Sequence, residues 1–253
     1  IMKNIKILEK NKVSEVILTG VNIGDYNNNN KNFIDLVKKL ENSNSINRIR
    51  ISSIEPNLLT DEIINIIKNS NSFLPHFHIP LQSGSNKVLS LMKRKYNTRI
   101  YQDKIIMIRK EISNACIGAD VIVGFPGETN EDFLNTVTFI ENLDIDYLHV
   151  FSYSDRTNAE ASKFEYKISN LEKSNRSKLL QVLSNKKRLS FYNKNLSLVR
   201  KVLFENITEE KHLTGFSDNY IRVFVDGDSS MINKVFNVEL LEIDNNRVFG
   251  KII

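Results

Sequence analysis

Cysteine, long apolar runs and, over one stretch, acidic side chains are all scarce here. Cys116 is the single cysteine among 253 residues. That excludes an internal disulfide framework and fits a reducing compartment, so a cytoplasmic location is expected. Apolar runs such as Val16 to Leu18 and Val121 to Val123 fall far short of the roughly 20 residues that span a membrane. The N-terminus also lacks the apolar core and small residues of a secretory signal, and no membrane partner is expected. Between Glu172 and Lys201 one acid stands against nine lysines and arginines. This stretch exceeds the whole chain's net charge of +5, so the remainder is net acidic. A basic segment on an acidic body is a candidate phosphate-facing surface; the alternative is a solvated helix face.

What is present is enough for a core. Hydrophobic residues make up 41% of the chain, and the length allows a large domain plus a small one. The chain opens on Ile1, with Ile1, Ile5 and Leu8 at helical spacing, and reads as a fragment entered within a helix. The run Asn27 to Asn30 reflects AT-rich codon usage and receives a loop assignment. Short β-branched runs then alternate with helical patterns. Strands are predicted at 15–20, 48–54, 76–81, 117–124 and 147–153, and helices at 32–41, 60–69, 98–112 and 130–143. Thr60 and Thr129 stand where N-caps belong, the latter before Glu131 and Asp132. Repeated strand–helix units imply a parallel sheet with right-handed crossovers, either open and doubly wound or curled into a barrel.

The pattern changes after Tyr153. A long helix is predicted at 171–196, with Leu179, Leu180, Leu183 and Phe191 on its apolar side. Alternating segments follow at 199–204, 220–225, 235–243 and 247–252, with turns at Gly215, Asp226-Gly227 and Asp244 to Asn246. This reads as a small antiparallel β-barrel. The predicted organisation is therefore a barrel-type α/β unit over 1–170, a basic connecting helix over 171–196 and a β domain over 197–253.

Parallel α/β folds bind ligands beyond the carboxyl ends of their strands. The unusual residues of this chain fall there: Thr19-Gly20, Ser52 to Pro56, Pro80 to Ser85, Gly124 to Thr129 and Ser152 to Arg156. In Gly124-Phe125-Pro126-Gly127-Glu128-Thr129 the glycines permit close backbone approach and the proline stiffens the turn. His76 and His78 are two apart and share a strand face. Lacking a third ligand at convincing spacing, they read as a hydrogen-bonded interior pair, as does His149, and no metal ligand is assigned. Cys116 reads as a small buried hydrophobe. No spacing defines a nucleophile–histidine–acid set.

The ordered segments Leu18-Thr19-Gly20, Arg50 to Pro56, His78 to Ser85, Asp120 to Thr129 and His149 to Ser154 together resemble the radical S-adenosylmethionine methylthiotransferases. Ser52 to Pro56 and Asp218 to Val223 are most similar to the branch acting on threonylcarbamoyl-adenosine in tRNA. The resemblance implies a partial (β/α) barrel followed by a TRAM-like RNA-binding β domain. It implies S-adenosylmethionine held by Gly20, Ser53, Glu55, Gln82, Ser83, Gly124, Phe125, Pro126, Gly127 and Glu128, and tRNA gripped by Lys186, Lys187, Arg188, Arg200, Lys201 and Arg222. It further implies two 4Fe-4S clusters on cysteines that these residues do not supply, an electron donor, and no DNA partner. On that basis the intact enzyme methylthiolates tRNA while the fragment is expected to be inactive. A second departure is Asp155 to Glu160, where relatives often carry Pro-Gly-Thr-Pro after the arginine. The alternatives are the isopentenyl-adenosine branch, a barrel enzyme for phosphorylated substrates and a non-catalytic RNA-binding protein.

Overall fold

Regular hydrophobic periodicity produces alternating helices and strands in a computed structural model that describes all residues except 44, 157, 158 and 165. Helix α1 (Met2–Lys10) leads to β1 (Val16–Leu18), and the hairpin β2 (Asn27–Asn28) and β3 (Lys31–Asn32) leads to α2 (Phe33–Glu41). Next come β4 (Ile49–Ile51), α3 (Asp61–Asn69), β5 (His76–His78), α4 (Asn86–Leu91) and α5 (Thr98–Glu111). The first part ends with β6 (Cys116–Val123), α6 (Asn130–Asn142) and β7 (Tyr147–Ser152). Helix starts are capped by side chains. Thr60 accepts from the Ile63 amide, and Thr129 forms a reciprocal capping box with Asp132, each relieving an unpaired backbone donor.

The strands lie in the order β1, β4, β5, β6, β7, all parallel. Val16 to Leu18 pair with Ile49 to Ile51, β5 pairs with β6 and β6 with β7. Ile49 bridges to Phe73, and the Ile54 amide donates to the His78 carbonyl at 3.1 Å, joining the two halves of the sheet. Each new strand adds beside the last, which decides for the winding of a barrel over the doubly wound alternative. Sequential winding puts the crossover helices on one face, and the register shows the result. Ile49, Phe77, Ile117, Ala119, Val121 and Leu148 pack into the main core with α2, α3, α5 and α6. The opposite face carries Arg50, His76, His78, Asp120, Tyr147 and His149, because side chains alternate along a strand.

Helix α7 (Asn170–Asn195) buries Leu180 and Phe191, while Leu179, predicted to lie on the same apolar side, is 45% exposed. The last part is a closed barrel of β8 (Val199–Ile207), β9 (His212–Ser217), β10 (Arg222–Asp226), β11 (Val235–Asp244) and β12 (Arg247–Ile252). Neighbours pair antiparallel except β10 and β12, whose parallel pairing closes the ring. Gly215, predicted as a turn, lies inside β9, a strand that the alternating pattern did not mark. An added Cβ there would stand 1.9 Å from the Leu203 carbonyl oxygen. Glycine at this point serves close strand approach, which composition alone does not distinguish from turning. The hairpin β2–β3 and helix α4 are likewise additions to the predicted elements.

Two arginines fasten the barrel to the sheet. Arg48 donates to the carbonyls of Lys201 and Phe216, and Arg50 to those of Ser217 at 2.6 Å and Asp218 at 3.0 Å. Glu15 holds both, with its two carboxylate oxygens each 2.7 Å from an arginine Nε.

Candidate active site at the carboxyl edge of the sheet

Parallel pairing brings the predicted loops to one edge. Leu18 O accepts from the Ser52 amide, Asp120 O from the amides of Leu81 and Gln82, and Val123 O from the Tyr153 amide. Gln82 is held there in a left-handed conformation, φ 68°, and its own carbonyl accepts from Ile122 N. Its side chain is buried, yet among the described residues Oε1 has no hydrogen-bond partner. A buried acceptor left unpaired is costly, so such an atom is poised for a ligand donor. Asn57 Oδ1 and Arg94 Nε are likewise without a partner among the described residues. Arg94 also pairs with Glu55 at 3.1 Å.

Other predicted cofactor residues have structural duties. Ser83 is fully buried, 3.2 Å from the Thr136 hydroxyl, and accepts from the Ser85 amide. Glu128 is 1% exposed, accepts from Gly124 N at 2.8 Å and from Arg176 at 2.5 Å, and so ties the turn to α7. Burial raises its pKa against the opposing pull of those bonds. Phe125 packs edge-on to Tyr153 and Phe164, and Pro126 is buried. Gly124 and Gly127 have φ of +77° and +91°, and a Cβ on Gly124 would meet Lys173 Cγ at 2.4 Å. Ser53 is half-buried and Gly20 exposed at the same edge. Gln82 and Ser53, with Glu55 beside Arg94, are the predicted cofactor side chains that remain at this edge, the amides of Gly124 and Gly127 being bonded to Glu128 and to the Tyr166 carbonyl. Of the loop at 155–160, Thr157 and Asn158 lie outside the described residues.

Below that edge the face opposite the crossover helices carries a chain of hydrogen bonds that spacing along the sequence did not reveal. His78 Nε2 is 2.9 Å from Asp120 Oδ1, His78 Nδ1 is 3.1 Å from the Tyr147 hydroxyl, and that hydroxyl is 2.9 Å from His76 Nε2. Tyr147 reaches both histidines because its ring lies over Gly118, where a Cβ would be 2.0 Å from Tyr147 Cζ. Burial lowers the His76 pKa well below its usual value, with Arg50 adding to the effect, so His76 is neutral. Its Nδ1 has no partner among the described residues, so the assignment satisfying the rest has His76 donating to Tyr147, Tyr147 to His78 and His78 to Asp120. Burial opposes ionisation of Asp120, but hydrogen bonds from His149 and His78 outweigh it and hold the carboxyl below its ordinary range. His149 stands 3.4 Å from Asp120 with its side chain 53% exposed, which corrects its reading as interior. Ligand atoms of His78, Asp120 and His149 lie within 4.8 Å of one another, so the third partner that sequence spacing lacked is supplied across strands, and to His78 rather than to the pair. The period-two recurrence of polar residues in β5 and β7, with Asp120 in the otherwise apolar β6, was the available signal.

The predicted basic surface is divided. Arg176 is buried between Glu128 and Glu172, and Lys187 donates to the carbonyls of Glu141 and Leu143 at the end of α6. Arg200 is buried and bonded to Asn195. These are internal contacts and leave Lys186, Arg188, Lys201 and Arg222 as the cations of the predicted RNA set at the surface or its margin. Among the described residues no helix is long and apolar enough to cross a membrane.

Comparison with known proteins agrees with this architecture. Residues 1–140 match the model of the radical SAM superfamily. The chain is 38% identical over 235 residues to threonylcarbamoyladenosine tRNA methylthiotransferase MtaB of Bacillus subtilis, covering 90% of this chain and 52% of that protein. It is 36% identical to the MtaB of Aquifex aeolicus, covering 90% and 54%. A tRNA-2-methylthio-N(6)-dimethylallyladenosine synthase of Endomicrobium trichonymphae is 34% identical, covering 96% and 58%. The chain thus spans between half and three-fifths of these relatives. Among solved structures, coproporphyrinogen III oxidase HemN of Escherichia coli matches the fold with a TM-score of 0.57 at 14% identity, over 96% of this chain and 59% of that one. From the matched family model, the parallel sheet and its strand-edge loops, the chain belongs to the radical SAM superfamily.

Proposed function

We propose that this chain is the cofactor-holding and RNA-gripping portion of a tRNA methylthiotransferase acting on threonylcarbamoyl-modified adenosine. The observation that carries the reading is the 38% identity to the Bacillus subtilis enzyme across 90% of the chain. When bound, S-adenosylmethionine supplies the radical chemistry, and the protein supplies placement and exclusion of water. Gln82 fits that cofactor: its unpaired, buried Oε1 accepts from a ligand hydroxyl or amine, and the left-handed backbone at Gln82 aims it. Ser53 and Glu55 offer flanking polar groups, and Gly124 and Gly127 supply the left-handed backbone that holds the neighbouring turn against Glu128 and Lys173. The four-iron clusters do not fit these residues. Cys116 is one thiol, and burial raises its pKa and keeps it neutral, whereas a cluster takes several thiolates. The 253 residues by themselves are accordingly proposed to be inactive. The closed β-barrel with Lys201, Arg222 and the adjoining Lys186 and Arg188 is proposed as the TRAM-like tRNA grip, in a cytoplasmic enzyme served by an electron donor.

Mass spectrometry of tRNA nucleosides after disruption of the gene tests the assignment. The methylthio group is expected to vanish from threonylcarbamoyl-adenosine and to persist on isopentenyl-type adenosine; the reverse pattern would transfer the chain to the other branch. At the level of residues, Gln82→Ala is expected to weaken S-adenosylmethionine binding severalfold, the equivalent of about 0.5–1.5 kcal/mol for one hydrogen bond. Equilibrium dialysis reads this directly, with the thermal midpoint confirming an intact fold. Unchanged affinity would remove Gln82 from the pocket.

A further inference from the structure

A cavity of about 330 Å³ opens where the start of β6 and β7, the last turns of α7 and the β-barrel meet. It lies on the sheet face opposite the crossover helices, and His149, which lines it, is three residues before Ser152 at the end of β7, about 10 Å along the strand. Its walls are aromatic, formed by Tyr192, Phe216, Tyr220 and Phe224. Three guanidinium groups also line it, from Arg188, Arg222 and Arg247. Arg222 lies 4.7 Å from the centre of the Phe216 ring and Arg247 5.4 Å from that of Phe224. Rings backed this way are held rigid: Phe216 stacks on Tyr220 at 4.8 Å, and Tyr220 on His76 at 3.9 Å.

The charge inside is positive. Asp146 lines the cavity, but its carboxylate is taken up by Arg109 at 2.6 Å and the Ile117 amide at 2.7 Å. The Cys116 thiol is buried and neutral. Arg247 pairs with Glu210, both partly exposed. Among the described residues, Arg188 bonds to Asn185 and Arg222 has no carboxylate partner. Aromatic walls with two guanidinium groups, those of Arg188 and Arg222, not neutralised by a carboxylate among the described residues complement an unstacked nucleobase that keeps its phosphates outside. A base within a duplex is stacked and paired and cannot enter such a cavity.

We infer that this cavity binds one unpaired nucleotide of the RNA substrate, distinct from the base presented at the carboxyl edge of the sheet. The inference rests on the tRNA reading above and adds a second contact point to it. The pocket fixes the register of the RNA strand, so that recognition depends on an unpaired nucleotide close to the reacting one.

The test is a fluorescence-anisotropy titration of a labelled anticodon stem–loop RNA and of a blunt RNA duplex of equal length, at several salt concentrations. Arg188→Ala and Arg222→Ala are each expected to weaken stem–loop binding about three- to tenfold and to lower the log–log salt slope by about 0.7 for each phosphate no longer neutralised. Phe216→Leu, and Tyr192→Leu as a second variant should the first unfold, are expected to cost about tenfold on the stem–loop with the slope unchanged, and little on the duplex. Lys39→Ala, far from the cavity, serves as the control and should match the parent chain. Stem–loop binding unchanged in all four pocket variants would overturn the pocket and leave the tRNA reading standing. Equal losses on stem–loop and duplex would reduce the pocket to a charged patch and overturn base insertion. A parent chain that binds neither RNA would overturn the tRNA reading and the pocket with it.

Discussion

Glu15→Ala is expected to destabilise the chain by about 3–5 kcal/mol, the cost of leaving buried charge without its partner. Glu15 is the carboxylate that both Arg48 and Arg50 contact, and these side chains are only 5% and 2% exposed. Burial already pulls the Arg48 pKa down, with Glu15 opposing it. Removing the carboxylate leaves two like charges facing one another in a poorly hydrated place. The effect should reach beyond the local pair, since the same guanidinium groups donate to carbonyls of Lys201, Phe216, Ser217 and Asp218. Urea denaturation followed by circular dichroism reads the change in midpoint. A loss below about 1 kcal/mol, the level of an exposed pair, would show that the clamp does not hold the barrel to the sheet.

Gly215→Val should be at least as damaging, by a different mechanism. A Cβ at this position meets the Leu203 carbonyl oxygen at 1.9 Å, its carbonyl carbon at 2.6 Å and Phe204 Cα at 2.7 Å. All three are backbone atoms of the paired strand β8, so no side chain can rotate away. Relief requires parting β8 from β9 where the register already shifts between Phe204 and Asn206. Overpacking of a well-packed interior costs about 1–3 kcal/mol and more where backbone must move, so loss of the folded barrel is the expected outcome. Two-dimensional NMR of the purified variant would show it as collapse of the dispersed strand amides. Gly20→Ala is the counterpart, because the nearest atom to its Cβ is 3.7 Å away, and it should lie within about 1 kcal/mol of the parent. Native-like spectra for Gly215→Val would refute the close-packing argument.

Local chemistry determined the elements and their order. Thr60 and Thr129 marked helix starts because a hydroxyl satisfies free amides wherever the chain carries it, and β-branched runs located the strands because alternation is a property of the backbone. The strand-edge loops, and Gln82 among them, were legible for the same reason: in a parallel sheet every loop after a strand falls at one edge. Tertiary structure decided what those residues face. Ser83 and Glu128 read as ligand groups by type, and the tertiary structure adds Thr136 and Arg176 as their internal partners. Gly215 read as a turn, since a glycine's demand for space is made by the strand opposite and not by its neighbours in sequence. Asp120 and His149 joined His78 only when β5, β6 and β7 came into register. The basic stretch, uniform in sequence, separated into internal and free cations once α7 was laid against α6 and the barrel. Composition sets which interactions are available, and partners distant along the chain set which are used, because burial and pairing depend on what lies opposite each side chain.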